Sequence, residues 1–293
     1  MALPAAISYA APVPPQRDLS ASRAPWTLDP ARTAVLVHDL QAYFLRPYDG
    51  PLLTGLLDGT ARVLAAARAA GVPVCYTAQD GDHSDRGLQG DLWGGGMSAS
   101  PADTAIHPAV APVAGEAVLV KKRYSAFAKT DLAARLAAAG RDQLVIVGVY
   151  AGIGIAATAF DAFCRDVQPF VVADATADLG PEQHSRALDL VASCTGVVTE
   201  VDRVLDALLP ARTDAGAGWE ASVCRALLGV TSDGFVAAAV AAPGADLFEL
   251  GLSSLHAFDL LDELADQGAD IDYGEFTRNA TLAYLLEQGA VLA

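Results

Sequence analysis

Four short apolar runs in this chain each end at residues able to do chemistry. Asp39 comes just after Ala34–Val37, Gln79 after Val72–Tyr76 and Lys121 after Ala117–Val120, while the loop Tyr150-Ala-Gly-Ile-Gly154 follows Leu144–Val149. In an open parallel α/β sheet the carboxyl ends of the strands share one edge, and the ligand crevice opens there. An acid, an amide, an amine and a glycine loop would therefore converge on one pocket. A carboxylate at the mouth of an apolar strand loses hydration, which raises its pKa and suits a general acid. The same position also suits an Asp that caps the following helix. Lys121 would pair with Asp39 or with a substrate carboxylate, or else be a solvated member of the Lys121-Lys122-Arg123 run. Gln79 and Arg86 flank the second loop, where either binds an anionic substrate or ties the loop down.

These positions require a particular set of elements. The strand candidates are the four runs above with Phe170–Ala173 and Val197–Thr199, continuous apolar stretches of the kind buried on both faces of a sheet. Helical patterns at Leu52–Ala70, Asp131–Ala139, Ala156–Asp166 and Pro181–Cys194 alternate with them. Gly71 and Gly140 stand where C-terminal caps belong. The alternation predicts an α/β domain, a six-stranded parallel sheet with helices on both faces. An N-terminal arm at 1–20 precedes this domain at 21–209, and a turn-rich linker at 210–218 follows. Residues 219–293 show no strand signal. Helices at Trp219–Leu228, Asp233–Ala242, Leu255–Ala265 and Thr281–Gln288 predict a small all-α bundle.

The net charge of −16, from 35 acidic and 19 basic residues, repels phosphate backbones and anionic lipid heads. Nucleic acid and membrane partners are therefore not expected. No run approaches the roughly 20 apolar residues of a membrane span, and Pro4, Pro12, Pro14 and Pro15 argue for an arm rather than a signal peptide. Cys75, Cys164, Cys194 and Cys224 form no C-x-x-C pair, so buried, reduced thiols in a cytoplasmic protein are expected. No His, Cys and Asp cluster has metal-ligand spacing, so no metal is expected.

Several segments, in order, resemble the isochorismatases. They are Leu36-Val-His-Asp-Leu-Gln-Ala-Tyr-Phe44, Tyr76-Thr-Ala-Gln79, Trp93-Gly-Gly-Gly-Met97, Lys121-Lys-Arg-Tyr-Ser-Ala-Phe127, Gly148-Val-Tyr-Ala-Gly-Ile-Gly154, Asp161-Ala-Phe and Gln168-Pro-Phe-Val-Val-Ala-Asp-Ala175. The resemblance implies hydrolysis of the enol-pyruvyl vinyl ether of isochorismate, giving pyruvate and a dihydrodiol acid. It implies that Asp39 protonates the vinyl methylene carbon, that Lys121 and Gly154 complete the catalytic set, and that Gln79, Arg86, Tyr150, Phe44 and Gly152 stand at substrate-contacting positions. It also implies a cis peptide bond just before Gly154 and, as in relatives, a homo-oligomer such as a dimer. Cysteine hydrolases of the wider superfamily need a thiolate on this loop. Gly154 stands in its place, which argues against acyl-enzyme chemistry on amides. Three departures stand out: Gly152 where the family has His, Lys122 where it has Trp, and Gly95 where it has Pro. They leave room for a different substrate, such as the amino analogue 2-amino-2-deoxyisochorismate, which shares the vinyl ether.

Leu247-Phe-Glu-Leu-Gly-Leu-Ser-Ser-Leu-His256 resembles the acceptor motif of a carrier protein, with Leu255, Phe258 and Leu261 continuing an apolar helix face. On its own, Ser254 reads as an ordinary helix N-cap. After an isochorismatase-like domain, the bundle resembles the aryl carrier domain of two-domain isochorismatase–aryl carrier proteins of siderophore-type assembly lines. Ser254 would then bear 4′-phosphopantetheine, although Ser253 replaces the Asp that usually precedes it. The resemblance implies three partners: a phosphopantetheinyl transferase, an aryl-acid adenylating enzyme and a downstream assembly-line enzyme. The acidic residues Asp259, Asp262, Glu263 and Asp266 suit docking to basic patches. The alternative to a bifunctional enzyme is a carrier and docking scaffold whose hydrolase fold is inactive.

Overall fold

The computed structural model describes residues 4–9, 22–82, 84–209, 217–269 and 271–288. Residues 1–3 and 10–20 of the expected arm and 210–216 of the expected linker lie outside them. The chain divides into two compact units, Met1–Leu208 and Leu209–Ala293.

In the first unit six strands form one sheet: β1 (Thr33–His38), β2 (Val74–Ala78), β3 (Ala117–Val120), β4 (Gln143–Val149), β5 (Gln168–Ala177) and β6 (Val197–Thr199). The order is β3-β2-β1-β4-β5-β6, and every neighbouring pair is parallel. Chain progression reverses between β1 and β4, so the crevice at that switch point lies between the Asp39 and Tyr150 ends.

The helices are α1 (Ala42–Leu45), α2 (Gly50–Ala69), α3 (Gln89–Trp93), α4 (Pro101–Thr104), α5 (Leu132–Ala138), α6 (Ala156–Phe163), α7 (Pro181–Cys194) and α8 (Val201–Leu208). Asp49 starts α2 by accepting the Leu52 N–H at 3.2 Å. Gly71 (φ 66) and Gly140 (φ 64) follow α2 and α5 in the left-handed conformation that caps a helix. On one face of the sheet Leu36, Leu144, Ile146 and Val171 pack against Leu132 and Leu136 of α5, Ala159 of α6 and Val191 of α7. On the other, α2 packs on β5 and on α8.

The predicted strands are all present, with three physical adjustments. Pairing of β2 begins at Val74 and runs to Ala78, two residues later than expected, because Pro73 has no N–H to donate. β3 is an edge strand, so Val118 and Val120 are exposed rather than buried on both faces. β5 continues four residues past Ala173, carrying Asp174 and Thr176 within the strand. The expectation of buried thiols fails for Cys164 and Cys194, which are exposed at helix ends; all four cysteines are free.

The second unit consists of α9 (Ala217–Val230), α10 (Asp233–Ala241), α11 (Ser254–Asp266), α12 (Tyr273–Phe276) and α13 (Leu282–Gln288). Val223, Leu227, Leu247, Leu260, Leu264, Phe276 and Leu285 form its core, and the Trp219 indole N–H donates to the Leu285 carbonyl at 2.6 Å. The buried face of α11 is Ala257, Leu260, Leu261 and Leu264. Leu255 and Phe258, expected on that face, are exposed instead, and Phe258 stacks on Tyr273 with ring centroids 4.0 Å apart. Among the described residues no helix is long and apolar enough to cross a membrane.

At the switch point β1 and β4 approach too closely for a side chain. Gly148 has φ +115, and a Cβ there would lie 2.2 Å from the His38 carbonyl oxygen. Gly148→Ala is therefore expected to destabilise the first unit by about 3 kcal/mol, measured by denaturant unfolding.

Candidate active site

A cavity of about 630 Å³, counting its open mouth, lies at the carboxyl edge of the sheet over the switch point. Its floor is an ion pair. Asp39 sits one residue beyond β1 at φ 53, a left-handed conformation that Asp tolerates. Its Oδ2 is 2.7 Å from Lys121 Nζ, and its Oδ1 accepts the Thr77 hydroxyl at 2.6 Å. The Asp39 side chain is 5% exposed and that of Lys121 2%, which rules out the solvated-lysine reading. Asp39 does not cap a helix either, because α1 has Gln41 at that place.

The expected raised pKa of Asp39 is overturned. Burial pushes it up, but the Lys121 ammonium and the hydrogen bonds from Lys121 and Thr77 outweigh burial and hold it below its ordinary value. Asp39 is thus a carboxylate near pH 7.

The loop after β4 makes one wide turn, Ala151–Ile155, with the Ile153 and Ile155 N–H groups both directed at the Tyr150 carbonyl. The cis bond is Val149–Tyr150, at the entry to the turn and not before Gly154 as the resemblance implied. Tyr150 donates its hydroxyl to the Phe44 carbonyl at 2.9 Å, and the two rings meet edge to face. Burial raises the Tyr150 pKa, so the phenol keeps its proton. Gly154 lies against His38: a Cβ there would be 2.2 Å from the imidazole. The buried His38 is pushed down to about 4, mainly by desolvation, so it is neutral near pH 7. Its Nδ1 therefore donates to the Val149 carbonyl at 2.8 Å.

Gln79, Arg86, Trp93, Met97 and Tyr124 line the walls and roof with Tyr43 and Phe44. Gln79 is held through its backbone by the fully buried Gln41, whose amide accepts the Gln79 N–H and donates to the Gln79 carbonyl, both at 2.7 Å. Arg86 and Trp93 belong to a roof segment tied to the chain after β3. Lys122 binds Asp80 at 2.8 Å and Asp82 at 3.0 Å, Asp85 meets Arg123 and Lys129, and the Trp93 indole donates to the Tyr124 hydroxyl at 2.7 Å. Lys122 is thus neutralised in the roof and adds no free cation to the pocket. Arg86 Nη1 donates to the Gly94 carbonyl.

The structure therefore gathers Asp39, Lys121, Gly154, Gln79, Arg86, Tyr150 and Phe44 around one cavity. Gly152 does not join them. It is exposed, and its N–H points away to Asp178 at 2.6 Å. Sequence reasoning missed Thr77, Gln41 and His38 as site residues. Thr77 falls beyond a strand ended two residues too soon, whereas Gln41 was legible as a polar residue just past Asp39. Among the described residues no three of His, Cys, Asp and Glu converge as a metal site.

The Isochorismatase domain profile matches residues 33–203. The chain is 46% identical to the phenazine biosynthesis protein PhzD of Pseudomonas fluorescens over 205 residues, covering 69% of this chain and 98% of that protein. It is 35% identical to enterobactin synthase component B of Escherichia coli K12 over 286 residues, covering 96% of each. This chain belongs to the isochorismatase family. It is an enzyme of the isochorismatase hydrolase type. A cysteine hydrolase from Pseudomonas syringae pv. phaseolicola 1448A shares its fold at a TM-score of 0.58 and 28% identity, covering 62% of this chain and 95% of that one.

That likeness sharpens the meaning of Gly154. In this isochorismatase the space a side chain at 154 would need is filled by the His38 ring. Gly154→Cys is expected to cost about 1–3 kcal/mol and to yield no amidase activity. Both follow from unfolding curves and an assay with a simple amide.

Proposed function

We propose that the first unit hydrolyses the vinyl ether of an enol-pyruvyl substrate, isochorismate or 2-amino-2-deoxyisochorismate. The products are pyruvate and the dihydrodiol or dihydro-hydroxyanthranilate acid. The observation that carries this reading is the buried Asp39–Lys121 pair on the floor of a cavity that also holds Arg86 and lacks a thiol. Two cations suit a substrate with two carboxylates. Membership of the isochorismatase family supports the same chemistry.

The resting carboxylate of Asp39 must first gain a proton. A substrate carboxylate that engages Lys121 draws its charge away and adds negative charge nearby, and both effects raise the Asp39 pKa. Asp39 then gives its proton to the terminal methylene carbon, forming a C–H bond as the vinyl π bond opens. Water adds to the resulting oxocarbenium carbon and returns a proton to Asp39. The hemiketal collapses to the ketone of pyruvate as the ether C–O bond breaks, and its hydroxyl proton passes to the departing ring oxygen. Gln79, fixed by Gln41, orients substrate or water.

Asp39→Asn is expected to lower pyruvate release by about 10³-fold on whichever analogue the wild type prefers. Because the free-enzyme pKa of Asp39 is depressed, the protonated fraction falls steadily as pH rises. kcat/KM should accordingly decline across the neutral range without a plateau. No pyruvate from either analogue would instead favour the scaffold alternative.

The second unit serves, in this proposal, as an aryl carrier with Ser254 as the acceptor. Ser253 accepts the His256 N–H at 3.1 Å and is the true N-cap. Ser254 is the first helical residue and is exposed, which removes the reading of Ser254 as the cap. When attached there, 4′-phosphopantetheine supplies a thiol that holds an aryl acid as a thioester. The exposed Asp259, Asp262, Glu263 and Asp266 of α11 present an acidic face to the transferase, the adenylating enzyme and the downstream enzyme. Free cysteines fit a cytoplasmic setting, and exposed Phe160 and Phe163 on α6 suit a homodimer contact. Incubation with coenzyme A and a phosphopantetheinyl transferase should add one phosphopantetheine mass to the wild type and none to Ser254→Ala. An unchanged wild-type mass would remove the carrier reading.

A further inference from the structure

Asp178 is the first residue past β5, on the same carboxyl edge as Asp39 and Tyr150, yet the proposed reaction gives it no part. It is 1% exposed. Its Oδ2 accepts the Gly152 N–H at 2.6 Å and its Oδ1 accepts the Leu179 N–H at 2.7 Å. Among the described residues no lysine or arginine forms an ion pair with it. A buried carboxylate without a cation is costly unless its oxygens are hydrogen-bonded, and here two backbone N–H groups meet that need.

Gly152 is the middle of the turn whose ends, Tyr150 and Gly154, line the cavity. The turn is also held by the neutral His38 behind Gly154, by the Thr158 hydroxyl that donates to the Gly154 carbonyl at 2.7 Å, and by the Phe44 carbonyl that receives the Tyr150 hydroxyl. Asp178 is the charged support. Its own backbone is fixed in turn: its N–H donates to the Tyr9 hydroxyl at 2.8 Å, and its carbonyl accepts from Tyr48 at 3.2 Å. Tyr48 packs against Tyr150, with ring centroids 6.2 Å apart.

We infer that Asp178 is a positioning residue for the hydrolase reaction, its carboxylate fixing the turn at Tyr150–Gly154 through the Gly152 N–H. The inference rests on the vinyl-ether reading for the reaction it serves. It does not make Asp178 a group that touches substrate.

The titratable groups around it are Tyr9, Tyr48, Tyr150 and, beyond Tyr9, His184. Burial pushes Tyr9 up to about 12, raises Tyr48 and Tyr150, and pushes His184 down to about 4. All four are therefore neutral near pH 7. Asp39 also acts on the Tyr150 phenol. Burial raises the Asp178 pKa above the usual carboxylate value. Its full acceptor capacity is thus present above that raised pKa and is lost as pH falls through it, when one oxygen becomes a hydroxyl.

The test compares Asp178→Ala and Asp178→Asn with wild type in the full-length chain. It measures kcat and KM for pyruvate release against pH, unfolding curves, and exchange of the Gly152 amide. Asp178→Ala should lower kcat by about 10- to 100-fold, as a displaced turn would, with KM changed less than about two-fold. Asp178→Asn, which keeps one acceptor oxygen, should recover part of kcat and lack the acid limb that Asp178 gives the wild type. Gly152 amide protection should be strong in wild type and weak in Asp178→Ala.

An unchanged kcat in Asp178→Ala, or an acid limb that persists in Asp178→Asn, would overturn the inference. If the wild type releases no pyruvate, the vinyl-ether reading has failed. Asp178 is then judged by amide exchange alone: protection that falls with acid in wild type but not in Asp178→Asn upholds its hold on the turn, and protection indifferent to both refutes it.

Discussion

Two opposite charges, Asp39 and Lys121, are buried side by side at the ends of strands that are not neighbours. β2 lies between β1 and β3, and it contributes Thr77 to the same cluster. The pair is tolerable only while all three strand ends keep their register, since removing one partner of a buried pair typically costs about 3–5 kcal/mol. The short parallel sheet is in this sense the instrument that holds a carboxylate dry, charged and next to its counter-ion. The neighbouring hydrogen bonds serve the same end. Gln41 ties the backbone of Gln79 at the end of β2 through two hydrogen bonds, beside the cavity that Gln79 lines.

The roof is built on a different physical scale. Its ion pairs, Lys122 with Asp80 and Asp82 and Asp85 with Arg123 and Lys129, involve side chains between 18% and 55% exposed. Pairs of that kind contribute little each and weaken with salt. The site therefore combines a buried floor held by one desolvated ion pair with a roof held by several solvent-screened ones.

Much of this was legible in the sequence. Strand ends could be read because each apolar run stops where a polar residue must reach the crevice, and parallel order followed from alternation with helices. Boundaries failed where backbone chemistry or length intervened. Pro73 delayed β2, and polar residues inside β5 hid its last four positions, concealing Asp178 in an apparent loop. Protonation was the least legible property. The apolar flank of Asp39 speaks for burial, but the distance to Lys121, 82 residues away in sequence, decides its charge, and only the fold sets that distance. In the helical unit, periodicity gave α11 but mistook its buried stripe, because Leu255 and Phe258 lie just outside the core-facing arc.

The contact between His38 and Gly154 also sets what the chamber could be rebuilt to do. The imidazole fills the space at 154 and is tied to the Val149 carbonyl, so a side chain at 154 and the ring at 38 compete for one volume. A redesign that touches either residue must treat the two as a unit, whereas the side chains of the walls and roof can be exchanged one at a time.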